Sequence, residues 1–231
     1  MASAEEKKAF KDWFDRAAVR MLGKQIQSVY PEFELEKFVR RASAGLEGFE
    51  MMDRVRQISN TLRAHLPDSS AEALELVTRS LPPALPDCDA VTDGWLQWPI
   101  GQLIADHGVE EFEPAMTAMY ELTQRFSSEF AVRPFIERYP KKTLSRLKKW
   151  TRDPNPHVRR WCSEGCRPRL PWGVRLNDLV DDPAPCLEII ERLRDDPELY
   201  VRRSVANNLN DIAKDHPEIV VETCRRWWSD G

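Results

Sequence analysis

One eight-residue phrase occurs twice, 43 residues apart, and it restricts the fold more than any other feature. Residues 153–160 read DPNPHVRR and residues 196–203 read DPELYVRR, identical at five of eight positions. Asp-Pro is a helix start: Asp196 can cap orphan N–H groups, and Pro197 has no N–H to waste in a first helical turn. His216-Pro217 stops the helix that follows. Within it, Val201, Val205, Leu209 and Ile212 form an apolar stripe. Ser204, Asn207, Asn208, Asp211 and Asp215 share a neighbouring face. These are poor helix formers, so a face built from them is costly unless it meets something other than water. A third Asp-Pro, at 182–183, precedes Cys186, Leu187, Ile189, Ile190 and Leu193. The repeating unit is therefore a helix pair, 182–194 followed by 197–215, and a period near 43 is that of HEAT-like repeats. One such pair cannot bury its apolar stripe alone, so the expectation is an all-α, curved solenoid of stacked antiparallel pairs. Its second helices would line the concave face, with Arg159, Arg160 and Glu164 in register with Arg202, Arg203, Asn207 and Asp211.

The remaining chain also reads as helical. Helices are expected at 4–22, 34–42, 50–65, 69–81, 110–125, 129–139 and 141–151, from apolar spacing and Ser, Asp or Pro boundaries. Pro82, Pro83 and Pro86 keep 81–93 irregular, and 95–99 continues as a loop or a short helical entry. No stretch alternates with period two, so no strand is expected. Residues 1–94 are a helical lead-in and 95–231 the repeats that carry the groove, within one continuous domain.

Net charge is -4 over 231 residues, which alone argues against a nucleic-acid binder. Its distribution does not: 133–175 carries a local balance of +10, leaving -14 elsewhere. An acidic protein with one basic stretch offers a localised surface for phosphates. No apolar run is long enough for a membrane span, and no basic start with an apolar run marks a secretory signal. Five scattered cysteines suit reduced thiols and a cytoplasmic protein.

Three sets of residues could carry chemistry. Arginine pairs recur with each Val-Arg-Arg, joined by Arg133 and by the tract 140–152, which includes Lys148 and Lys149. Guanidinium forks suit phosphate, although Arg-Asp pairs between repeats are as often structural glue. The carboxylates Glu129, Glu164 and Asp211 sit among these cations. Negative groups do nothing for phosphate grip, so they suit a reaction that develops positive charge; a simple Arg160–Glu164 pair is the plainer alternative. In RPRLPWG (167–173) two prolines and Gly173 hold Trp172 in a rigid loop, to stack on a base or to plug the core. His157, Cys162 and Cys166 lack metal-site spacing, and no phosphate loop, Ser/His/Asp arrangement or HExxH occurs.

The blocks SSEFAVRPFIERYP (127–140), NPHVRRWCSEGCRPRLPWG (155–173) and DPELYVRRSVANNLNDIAKDHP (196–217) resemble the AlkC family of alkylpurine DNA glycosylases, HEAT-like proteins related to AlkD. The resemblance covers about 95–231. It implies a monofunctional glycosylase that removes cationic lesions, chiefly N3-methyladenine, from duplex DNA, without a deep base-flipping pocket. On this basis Glu129, Glu164, Asp211 and Trp172 are the expected catalytic set. The expected DNA contacts are Arg133, Lys148, Lys149, Arg159, Arg160, Arg167, Arg169, Arg203, Asn207, Asn208 and Lys214. No metal or cofactor is needed, and a monomer acting on duplex DNA, not on a membrane, is expected. Family chains commonly continue past the Trp227-Trp228 helix and some add an immunoglobulin-like domain; with a last residue at Gly231, a compact variant or a truncated form is expected. The second reading is a non-catalytic HEAT-like module that binds DNA or a protein partner through the same groove.

Overall fold

The computed structural model describes residues 9–230, with the side chains of Ala90, Val91 and Asp230 excepted. The charged start of the helix expected at 4–22 lies outside the described residues. The described residues form thirteen α-helices, short 3-10 turns and no strand. No helix among them is long and apolar enough to cross a membrane. They group into two compact units, dividing between Phe126 and Ser127, with Leu85–Asp89 belonging to the second.

The first unit contains α1 (Arg16–Gln27), α2 (Leu35–Ala42), α3 (Met51–Arg63), α4 (Ser70–Ser80), α5 (Trp98–His107) and α6 (Phe112–Thr123). Helix α1 packs on α2, α3 on α5 and α4 on α6. Phe14, Leu22, Ile26, Phe38, Ile58, Leu62, Ile100 and Leu103 fill its core. The single helix expected at 4–22 is divided. Phe10–Trp13 is a 3-10 turn, and Asp15, in extended conformation, starts α1 afresh by accepting from the Ala18 N–H at 2.9 Å. Of helix α5 the sequence reading holds only its start, in the loop or short helical entry at 95–99. Trp98, Pro99, Ile100, Gly101, Leu103, Ile104 and Ala105 are all buried, and its polar side is only Gln102, Asp106 and His107, too little to mark a period. The expected boundary at 94/95 falls inside this unit: the Trp95 ring lies 5.0 Å from Phe14 and 5.6 Å from Trp13. Gly94 permits the close approach there, since a Cβ would sit 1.8 Å from the Arg125 carbonyl oxygen.

The second unit contains α7 (Arg133–Arg138), α8 (Pro140–Trp150), α9 (Pro156–Gly165), α10 (Asn177–Asp181), α11 (Ala184–Ile190), α12 (Leu199–Ile212) and α13 (Pro217–Asp230). The helix expected at 129–139 begins only at Arg133. Pro134 fits the first turn, whereas a start at Glu129 would put it in the interior, clashing with a carbonyl one turn back. Ser127 Oγ accepts from the Glu129 N–H at 3.4 Å, closing a turn instead of capping a helix. Residues 182–194 form α11 plus a 3-10 turn, Glu191–Leu193, and α12 spans less than 197–215.

The repeat organises this unit, although α9 and α12 begin two residues past each Asp-Pro, with Asn155 and Glu198 at their N-caps. Helices α8 and α9 pair, α12 packs on the Glu191–Leu193 turn that follows α11, and α9 lies along α12 while α8 meets α11. Asp153 and Asp196 play equivalent parts, accepting from the N–H two residues on, at 2.8 and 2.9 Å. Arg159 and Arg202 are equivalent too, donating to the carbonyls of their own Asp-Pro: 153 and 154, then 196 and 197. Arg159 also reaches the next repeat, forking onto both oxygens of Asp196 at 2.6 and 3.0 Å. Residues 85–89 join this unit at His157, whose Nε2 donates to the Asp87 carbonyl at 3.1 Å.

Breaking a largely buried ion pair from one side leaves a charge without a partner. Asp196→Ala is expected to lower unfolding free energy by about 3 kcal/mol, read by urea denaturation. Burial also pushes the His157 pKa below its ordinary 6.5. A depressed histidine contributes stability in full above the unfolded value and loses it as pH falls toward the folded one. Below about pH 6.5 the protein is therefore expected to lose stability more steeply than His157→Gln, in unfolding series at stepped pH.

A candidate DNA interface built on an ion-pair ladder

The second unit carries an unbroken alternation of acids and bases across α9 and α12. It starts at Glu129, which accepts from Arg160 and, at 2.7 Å, from the Ser127 hydroxyl. Arg160 turns its other nitrogen toward Glu164, one helical turn on, at 3.5 Å. Arg167, just past the end of α9, donates to Glu164 at 2.9 Å and to Asp211 of α12 at 2.7 Å. Lys214 closes the run on the other Asp211 oxygen at 3.0 Å. Three carboxylates alternate with three cations. Glu164 and Asp211 are each only 2 % exposed. Arg169 makes a separate fork on Asp215, at 2.5 and 2.6 Å.

Electrostatics follow from this arrangement. Burial works against the Arg160 charge, but Glu129 and Glu164 outweigh it and hold its pKa above the ordinary arginine range. Burial opposes Arg167 as well, and its bonds to Asp211 and Glu164 again prevail. Tyr200 stacks on Arg160, ring centre 5.3 Å from the guanidinium carbon, and meets His157 edge-on at 5.6 Å. Tyr200 was not anticipated. The available signal was the repeat itself, where an aromatic ring precedes Val-Arg-Arg in both copies, His157 in one and Tyr200 in the other.

The loop from Arg167 leads to Trp172, whose indole is 70 % exposed. Its φ of 62° is the only positive φ of a non-glycine residue among those described. For a bulky side chain this conformation costs about 1–2 kcal/mol, so the surroundings must impose it. The Gly173 N–H donates to Leu170 O at 3.1 Å and the Leu176 N–H to Pro168 O at 3.2 Å, closing the loop on itself.

The three expected carboxylates thus converge through two arginines, and the loop bearing Trp172 springs from one of those arginines. Glu129 does so from a turn, not from the helix assigned to it. Arg160, Arg167 and Lys214 belong to the ladder, and Arg203 and Asn207 stand exposed on α12. Four expected phosphate contacts are engaged elsewhere. Arg133 is 1 % exposed and bonded to backbone carbonyls. Asn208 is buried, its Nδ2 donating to Ser163 O at 2.9 Å and to Cys166 Sγ at 3.4 Å. Arg159 is spent on Asp196 and carbonyls, the glue alternative. Lys148 bonds Glu188 of α11; Lys149 is exposed on α8. His, Cys, Asp and Glu form no group of three able to hold a metal ion among the described residues.

Residues 123–222 match the family model for DNA alkylation repair enzymes. The chain is similar in structure to AlkC. It aligns with Pseudomonas fluorescens alkylpurine DNA glycosylase AlkC, bound to DNA containing an abasic site analog, at TM-score 0.85 and 36% identity, over 94% of this chain and 59% of that one. The uncharacterized protein YhaZ of Bacillus subtilis (strain 168) is 34% identical over 221 residues, again 94% of this chain and 59% of the relative. The chain thus spans a little under three fifths of the length of these relatives.

Since Arg160 balances two buried or half-buried carboxylates, removing its charge leaves both exposed to each other's repulsion. Arg160→Met is expected to destabilise the protein by about 3 kcal/mol, and Arg160→Met with Glu129→Gln by less than the sum of the two single changes, read by denaturant unfolding of all four proteins.

Proposed function

We propose that this chain excises cationic alkylated purines, chiefly N3-methyladenine, from duplex DNA by hydrolysing the N-glycosidic bond. The observation that carries the reading is the placement of Glu164 and Asp211 on adjacent helices with one arginine between them, beside a loop that holds out a strained, exposed Trp172. The similarity to AlkC, an alkylpurine DNA glycosylase bound to DNA with an abasic site analog, supports the same chemistry.

A methylated purine carries its positive charge before the bond breaks. It leaves with the bonding electron pair as a neutral base, so no acid is needed to assist it. The charge moves to the deoxyribose, which becomes oxocarbenium-like at C1′. Carboxylates near that carbon stabilise the charge, and one of them takes the proton as water adds its oxygen to C1′. Trp172 offers a π face to the cationic base or to the sugar. Arg203, Asn207, Arg169 and Lys214 are placed to meet phosphates, Lys214 in exchange for Asp211. In this reading the arginines between the carboxylates keep two buried negative charges compatible with folding until DNA arrives.

The test is release of free N3-methyladenine from methylated duplex DNA. The wild type is expected to release it, and Asp211→Asn with Glu164→Gln to lose about 100-fold or more in single-turnover rate while still binding an abasic duplex. A wild type that binds DNA but releases nothing, or undiminished release by the double variant, would establish the non-catalytic module instead. Binding is expected to weaken steeply with added salt, and Arg203→Ala to reduce the slope of log affinity against log salt by about one.

A further inference from the structure

The excision reading leaves Arg133 without a part, although it is among the largest side chains buried in the protein. Its guanidinium is committed to one stretch of backbone. Nε donates to Val174 O at 2.5 Å, and Nη1 donates to Arg167 O at 2.9 Å and to Gly165 O at 3.4 Å. These carbonyls bracket Trp172, two before it in the chain and one after. Gly173 lies against the same group: a Cβ there would come within 3.2 Å of Arg133 Nε and 3.3 Å of Cδ. Burial is expensive for this cation and pushes its pKa down to about 10. Shape is what it provides in return. A rigid planar fork can hold three carbonyls at fixed spacing, which a lysine ammonium cannot.

We infer that Arg133 is a positioning residue: it pins the 165–174 loop so that the left-handed backbone at Trp172 is imposed before DNA arrives, and it acts on excision through Trp172 alone. Trp172 lacks the burial that would fix such a conformation by itself, being 70 % exposed. The loop's own bonds, Gly173 to Leu170 and Leu176 to Pro168, close it without tying it to α7. Arg133, the first residue of α7, makes that tie.

The inference rests on the excision reading for its effect on rate, but not for its effect on the loop, and two measurements separate them. The first is amide hydrogen exchange in the full chain without DNA. In Arg133→Met, the amides of Gly173 and Leu176 are expected to exchange at least 10-fold faster, with those of α12 unchanged. Arg133→Lys, which keeps a buried cation, is expected to fall between. The second is a double-mutant cycle in single-turnover base release. Arg133→Met is expected to slow release by the same factor as Trp172→Ala, within about threefold, and the double variant to be no slower than either. Affinity for an abasic duplex is expected to change little beyond what Trp172→Ala alone does. Gly173→Ala covers the case in which Arg133→Met does not fold. It leaves the arginine in place and crowds it by one methyl group, and it is expected to reproduce both effects at smaller size. Unchanged exchange in the loop, or rate losses that multiply in the double variant, would overturn the inference. If the wild type releases no base, the excision reading fails, and the exchange experiment still decides whether Arg133 pins the loop.

Discussion

A carboxylate taken out of water must be met by a cation or a set of hydrogen bonds, and most of the second unit depends on how two carboxylates meet that demand. Glu164 and Asp211 lie on neighbouring helices at almost no exposure. Arg167 bridges them, which fixes how far α9 and α12 can slide past one another. Arg160 takes the outer side of Glu164 and draws in Glu129, so the turn after Ser127 is held to the same layer. The forking of Arg159 onto Asp196 secures the other end of the two helices by the same means. Apolar burial supplies the driving force between them, through residues such as Trp161, Val158, Val201 and Val205, but is indifferent to register. The ion pairs supply the register.

Much of this was legible in the sequence, and the reason is repetition. Two copies of Asp-Pro-x-x-x-Val-Arg-Arg place two helix starts, two apolar anchors and two arginine pairs at one stroke, and α9 packs on α12 and α8 on α11 accordingly. Glu164 was conspicuous as an acid inside a basic segment, and Glu129 and Asp211 as acids flanked by cations in the layers before and after it. What was not legible was the destination of each arginine. Arg133, Arg159 and Arg160 look alike in one dimension, yet one holds a loop, one joins two repeats and one neutralises carboxylates. Periodicity places a residue on a face, while partners from other elements decide what it binds. Most of helix α5 escaped notice for a related reason: periodicity is faint where Gln102, Asp106 and His107 alone make up a helix's polar side. Glu129 was misplaced onto a helix because Ser127-Ser128 resembles a cap, and Pro134 counted for less than it should have.

The same ladder serves two ends that usually conflict. As structure it is costly, because buried pairs seldom outdo apolar packing of equal volume. For the proposed excision it is apt, because acids that serve a nascent cation must be dry to be effective, and dry acids need holding. The strained Trp172 has the same character: a local cost tolerated where rigid presentation matters more than stability.

One consequence of the alternation concerns what substitution can reveal. In a run where each charge lies between two of opposite sign, deleting one member leaves two like charges without their shared partner, and each turns to the neighbour that remains. Arg160 lost lets Arg167 lean further onto Glu164; Asp211 lost sends Arg167 wholly to Glu164 and leaves Lys214 to solvent. The phenotype of a single change then reports a redistribution along the whole run and not the worth of the side chain removed. Roles in such an array are defined only jointly, in the way that one term of a balanced equation has no value apart from the rest.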